Sequence, residues 1–263
     1  MSVAGMRSSL LHQLREWFPA LIVLVAALGA WQGLIIAFDV QQFLLPKPSV
    51  IATTLWDDRS SLSSAGWYTF KEALGGFVVG SLAGIAFASL IARFRRIGAA
   101  LMPVAIAANA VPIIAFAPIL NNWFDPLSPH SKSAICAVLC FFPVMVNTLR
   151  GLTSVRPQQV QLMRSYAASN LEIFRRVRVP TALPYIFTAL KVASVLAMIG
   201  AVVGEYFGGS FNALGVQIRS DAQVFDFATA WAGIVVVSVL GIALYLAVAI
   251  SERLLVRWSP ELR

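Results

Sequence analysis

Long apolar runs separated by short polar segments make up this chain. Six runs come near the ~20 residues that a helix needs to cross the hydrocarbon core of a bilayer. They are Pro19–Phe38, Phe70–Ala92, Gly98–Leu120, Ser133–Leu149, Pro184–Phe207 and Phe227–Ile250. No internal repeat interrupts them, so the pattern predicts an all-α, polytopic membrane protein with six transmembrane helices in one domain, 1–263. The longest pieces between spans are Asp39–Thr69 and Arg150–Leu183.

The second of these pieces has its own helical pattern. "QQVQLMRSYAASNLEIFRRV" contains neither Gly nor Pro. Leu162, Tyr166, Ile173 and Val177 recur at four- and seven-residue steps, which predicts an amphipathic face. Ser169 or Asn170, ahead of Glu172 and Ile173, is placed to cap a second short helix. Pro180 and Pro184 are expected to end that helix and lead into the fifth span. A short helix–turn–helix lying on the membrane surface follows; the alternative is an interfacial helix that binds anionic lipid through its arginines.

Composition agrees with the membrane reading. Hydrophobic residues make up 59% of the chain and charged residues 12%, about half the share usual in soluble domains. Mean hydropathy is +0.78. The net charge of +8 does not point to nucleic acid, because the arginines cluster in short segments between spans, as topology determinants do. With the N-terminus inside, the inner segments hold Arg7 and Arg15, Arg93, Arg95 and Arg96, the six arginines of 150–183, and Arg253, Arg257 and Arg263. The outer segments hold only Lys47, Arg59, Lys132 and Arg219, together with every aspartate. The expected location is the cytoplasmic membrane, multi-pass, with both termini cytoplasmic. Trp17, Trp67, Trp123 and Trp258 fall near the predicted interfaces, where amphipathic rings settle.

Few residues invite catalytic or metal chemistry. His12 and His130 fall on opposite sides in this topology, so a metal site or catalytic triad is not expected. Cys136 and Cys140 share a helix face inside an apolar run and read as small buried residues. No G-x-x-x-x-G-K-[ST] run occurs, so any ATP-driven step needs an ATPase on a separate chain. Gly76, Gly80 and Gly84 lie four apart and predict a close helix–helix approach, read as ordinary packing within the subunit. Pro103, Pro112 and Pro118 disturb the third span, and Asn109 sits among them, which suits a helix lining a path and, equally, a kinked packing helix. Glu205, at the end of the fifth span, is expected to reach the interface or to cap the loop that follows. Lys191 is expected to snorkel; fourteen residues at ~1.5 Å rise keep it about 21 Å from Glu205. The candidate path residues are Asn109, Asn147, Glu205 and Tyr206.

The segments "FFPVMVNTLRGL", "MRSYAAS", "VRVPTALPYIFTALKVA", "IGAVVGEYFGG" and "ERLLVRW" resemble the nitrate/sulfonate/taurine/pyrimidine branch of binding-protein-dependent ABC importer permeases, of type I fold. Within that branch the chain most resembles permeases assigned to riboflavin uptake, then those for thiamine-precursor pyrimidines. The family's loop pattern E-A-A-x3-G-x9-I-x-L-P, aligned on Pro180, places Gln161, Leu162 and Met163 at E-A-A and Ala167 at the Gly. Val177 and Val179 then take the Ile and Leu positions. Alanine at 167 implies a turn that does not need positive φ. Glutamine at 161 removes one possible salt bridge to the ATPase.

The resemblance implies that 150–183 is a coupling loop seated on a cytoplasmic ATPase, with Arg164, Ser165, Tyr166, Ala167, Ala168, Ser169 and Glu172 touching it. It also implies a homodimer, two ATPase copies that bind the ATP, no cofactor in this chain and no enzyme activity of its own. An extracytoplasmic solute-binding protein would face Asp39, Asp57, Asp58, Asp125, Asp221 and Asp226. A stand-alone secondary transporter is the alternative of another class; it would show inverted repeats or several midplane charges.

Overall fold

The computed structural model describes residues 3–93, 103, 107, 115, 117–256 and 258, with side chains from Phe18 onward. Every regular element among them is helical. In order they are α1 (Val3–Ala37), α2 (Pro48–Asp57), α3 (Arg59–Ala92), α4 (Ala117–Trp123), α5 (Pro129–Thr153), α6 (Pro157–Ser165), α7 (Asn170–Ile173), a π-helical turn (Phe174–Arg178), α8 (Val179–Tyr206), α9 (Leu214–Gln223) and α10 (Phe227–Leu255).

Five stretches among the described residues are long and apolar enough to cross a membrane: Phe18–Ala37, Arg59–Ala92, Pro129–Thr153, Asn170–Tyr206 and Phe227–Leu255. They coincide with the first, second, fourth, fifth and sixth predicted spans. The third, Gly98–Leu120, lies outside the described residues apart from isolated positions and the start of α4, and Asn109 and Pro112 fall there too. The second helix begins at Arg59 rather than Phe70. In its polar first turns Ser63 and Ser64 donate their hydroxyls to the carbonyls of Ser60 and Ser61, at 3.1 and 2.8 Å, so these polar groups are satisfied within the helix.

The chain forms two compact units, Met1–Arg59 with Ser220–Ala232, and Ser60–Arg219 with Gly233–Arg263. In the first, the rings of Trp31 and Trp231 meet edge-on at 5.2 Å. Gln32 exchanges two hydrogen bonds with Ser49 at the start of α2, where Pro48 supplies a preset φ.

The second unit is built on close packing of small residues. Gly76, Gly80 and Gly84 of α3 lie against α5, at Cys136, Ala137 and Phe141 respectively. A Cβ at Gly80 would stand 2.8 Å from the Cα and carbonyl carbon of Ala137, and nearer still to its oxygen. Only glycine permits that approach, and the partner of the glycine ridge is therefore α5 of the same chain. On its other side α5 meets α8 along Ala189, Ala193, Ala197 and Ala201, all buried. The two cysteines fit this seam: Cys136 Sγ donates to Ala197 O at 3.2 Å and Cys140 Sγ to Ala193 O at 3.3 Å. Backbone proximity and dispersion contacts replace the hydrophobic drive that lipid cannot supply.

Pro180 and Pro184 do not end the second short helix, contrary to the expectation. The chain runs on without a break from α7 through Phe174–Arg178 into α8. Proline removes a backbone donor and crowds the preceding turn. The widened turn absorbs this just ahead of Pro180: Val179 N–H bonds back five residues to Phe174 O. Thr181 Oγ1 adds a bond to Val177 O at 2.7 Å.

Candidate functional site

The loop between α5 and α8 is compact and ordered by its own bonds. Arg156 is extended and Pro157 starts α6. Tyr166 ends it, and Ala167 takes φ 55°, in the left-handed region. Ala168 N–H bonds Met163 O at 3.1 Å and Ala167 N–H bonds Arg164 O at 2.9 Å. These two bonds define a Schellman ending, with Ala167 where glycine is usual. The expectation that alanine here means a turn without positive φ is therefore wrong: the turn needs it and alanine bears the strain. The start of α7 follows the expected cap. Glu172 N–H bonds Ser169 Oγ at 3.3 Å, and Ser169 N–H bonds Glu172 Oε2 at 2.8 Å, a reciprocal capping box that uses Ser169 and not Asn170.

This turn presents most of its side chains outward. Arg164, Ser165, Tyr166, Ala167, Ser169 and Glu172 are exposed and Ala168 is half-buried. Tyr166 is 77% exposed. The predicted amphipathic face divides: Ile173 is buried against the bundle, whereas Leu162 and Tyr166 stay open. Leu162, Tyr166 and Leu171 together leave apolar surface on an otherwise basic loop.

At the other end of α3 and α8 lies a buried polar group that sequence reading did not assemble. Thr69 and Glu72 of α3, Asn121 of α4, Lys132 of α5 and Glu205 of α8 are all nearly inaccessible. Glu205 Oε2 accepts from Gly215 N–H at 2.7 Å and Thr69 Oγ1 from Leu214 N–H at 3.0 Å, so both hold the first turn of α9. Of the two roles expected for Glu205, the structure shows the cap. Asn121 Nδ2 donates to Gly204 O at 3.1 Å. Lys132 Nζ donates to Pro126 O and, at 3.5 Å, to Ser128 O. Glu72 Oε2 and Glu205 Oε1 are buried without a hydrogen-bond partner among the described residues. The missed signal was spacing: Glu72 stands four residues before Gly76, on the face that packs against α5, and Lys132 stands four before Cys136.

The other candidates are dispersed. Asn147 is half-buried and bonds its own helix, Nδ2 to Pro143 O at 2.9 Å. Tyr206 turns outward beside Phe207, with the Arg219 guanidinium 6.0 Å from its ring centre and bonded to its carbonyl at 2.8 Å. Glu205, its neighbour in sequence, points into the packing. Lys191 Nζ pairs with Glu252 Oε2 of α10 at 2.8 Å. No metal-binding group of His, Cys, Asp and Glu occurs among the described residues.

Comparison with known proteins gives consistent matches. The family model described as binding-protein-dependent transport system inner membrane component matches residues 76–257. The chain is 31% identical to the riboflavin transport system permease protein of Chloroflexus aurantiacus, over 94% of this chain and 92% of that protein. It is 35% identical to the formylaminopyrimidine transport permease protein of Halalkalibacterium halodurans, over 84% and 88%. Identity to the taurine transport system permease protein of Escherichia coli is 26%, over 80% and 73%. A crystal structure of an amino acid ABC transporter with histidines shares the fold, with TM-score 0.59 and 17% identity over 78% of this chain and 97% of that one.

Proposed function

Because the chain belongs to the binding-protein-dependent transport system inner membrane components, the permease subunits of ABC importers, we propose that it imports riboflavin as a homodimer. ATP is bound and hydrolysed by a separate ATPase subunit, and the solute is delivered by an extracytoplasmic binding protein. Both termini and the 150–183 loop are cytoplasmic in this reading, which the distribution of arginines supports.

The observation that carries the mechanism is the exposed Schellman turn at Ala167, braced by the Ser169–Glu172 box and continuous with α8. Closure of an ATPase dimer displaces this turn, and the unbroken helix carries the displacement into the membrane. Arg164, Ser165, Tyr166, Ala167, Ala168, Ser169 and Glu172 supply the contact, with exposed Tyr166 and Leu162 as its apolar part. Asn109, Asn147, Glu205 and Tyr206 are proposed to act on the path, Glu205 by holding α9.

Affinity purification of the tagged chain in mild detergent tests the reading. The expected result is a co-purifying ATPase, and riboflavin uptake that stops when the ATPase's Walker-A lysine is replaced. Uptake that continues without any ATPase would overturn it. Ala167→Arg is expected to abolish ATPase association while insertion stays normal, because arginine fits the left-handed turn no worse than alanine. The second reading keeps the machinery and changes the solute to a formylaminopyrimidine, favoured by the 35% identity to such a permease. The ligand retained by the cognate binding protein decides between the two.

A further inference from the structure

A cleft of about 550 Å³ opens where the last turn of α3, helix α6 and the π-helical turn meet. Three arginines line it: Arg93 just past the end of α3, Arg164 of α6 and Arg178 of the π-helical turn. Arg178 is held in place by a bond from Nη1 to Ala92 O at 3.4 Å, and this uses one of its five donors. Among the described residues no acidic side chain lines the cleft. Glu172, the one acidic residue in 150–183, is committed to the Ser169 cap. Val160, Leu171 and Phe174 form apolar walls beside the guanidinium groups.

Three arginines lining one cleft, with no acidic side chain among its described lining residues, repel one another, and an anion seated between them relieves that repulsion. The guanidinium fork matches phosphate oxygens two at a time. We infer that this cleft is a phosphate-binding site, with a phosphate-bearing anion held by Arg93, Arg164 and Arg178. Two sources share this chemistry: the headgroup of an anionic phospholipid and free inorganic phosphate. The apolar walls, and the position where α3 ends and α8 begins, favour the lipid. Its phosphate would sit among the arginines and its chains would follow the helices. The inference needs neither a transport direction nor an ATPase, so it can fail while the importer reading stands, and the reverse.

The test is native mass spectrometry of the purified, detergent-solubilised chain, titrated with phosphatidylglycerol or phosphatidylcholine, alongside thermal melts with inorganic phosphate. Phosphatidylglycerol is expected to be retained in preference to phosphatidylcholine. At about 1 kcal/mol for each basic residue, Arg93→Gln should weaken that binding about five-fold, and Arg93→Gln with Arg178→Gln about 25-fold. The single variant leaves the Arg178–Ala92 bond intact, so it reads the site even if the double variant folds poorly. Arg175→Gln removes the same charge from an exposed position outside the cleft and is the control. Stabilisation by inorganic phosphate that Arg93→Gln abolishes, without lipid preference, would support the site with the soluble source. Equal retention of the two lipids with no phosphate effect would overturn the inference. So would a control that weakens binding as much as Arg93→Gln.

Discussion

Ala167→Val is the sharpest probe of the Schellman turn that ends α6. An L-residue in the left-handed region costs roughly 1–2 kcal/mol, and Ala167 already carries that cost at φ 55°. Ala167→Gly removes it, but gives roughly 0.5–1 kcal/mol of entropy back to the unfolded chain. The two nearly cancel, so local stability should move by less than about 1 kcal/mol. Ala167→Val is different, because a β-branched residue is a true outlier there. The turn must abandon its conformation and with it the Ala168–Met163 and Ala167–Arg164 bonds. At roughly 1 kcal/mol each, the loss is about 2 kcal/mol, or roughly a 30-fold rise in local opening. Amide hydrogen exchange on the purified protein reads this directly at residues 167 and 168. Faster exchange of about that factor is expected for Ala167→Val, and little change for Ala167→Gly. Wild-type exchange rates in Ala167→Val would refute the Schellman geometry and the strain assigned to alanine.

Gly80→Ala should lower the melting temperature in detergent, at a cost of about 1–3 kcal/mol, because its Cβ meets the Ala137 backbone. Gly75→Ala, which meets only the Ser133 side chain at 3.2 Å, should be tolerated, and equal effects would count against the ridge. Lys191→Glu or Glu252→Lys alone should cost about 3 kcal/mol by leaving a charge unpaired. The double swap should recover most of it, and a double variant no better than either single one would deny the pair. Glu205→Gln keeps an acceptor for Gly215 N–H, whereas Glu205→Ala should lose about 1–3 kcal/mol and loosen the first turn of α9; equal melting of the two variants would deny the cap. Burial, with Asp226 and Asp58 nearby, raises the carboxyl of Asp221 above its usual range. Its folded pKa then exceeds its unfolded one, so the wild type loses stability as pH rises between the two and regains it as pH falls. The melting deficit of wild type against Asp221→Asn should therefore shrink on acidification; a constant difference would show no such shift.

The spans were legible because lipid imposes a length and a composition that a single chain displays directly. The capping box was legible for a similar reason: Ser169 and Glu172 satisfy each other's backbone within one turn. What needed the structure was long-range. The α5 partner of the glycine ridge, the Lys191–Glu252 pair and the Leu214–Thr69 bond join positions far apart in sequence. Two local readings also failed. Alanine's reluctance toward positive φ is roughly 1–2 kcal/mol, which the two hydrogen bonds of the Schellman turn offset at Ala167. Proline's veto on helix continuation gave way at Pro180 because one widened turn accommodates it.

That widened turn also sets an angular phase. The helical run Asn170–Tyr206 has 37 residues, about 55 Å at the helical rise. Along such a rod, torsion at one tip arrives at the other as rotation. Each residue added or removed within Phe174–Arg178 would swing the Ser169–Glu172 tip by about 100° relative to Tyr206, so these five residues fix which azimuth of the rod an applied torque can turn.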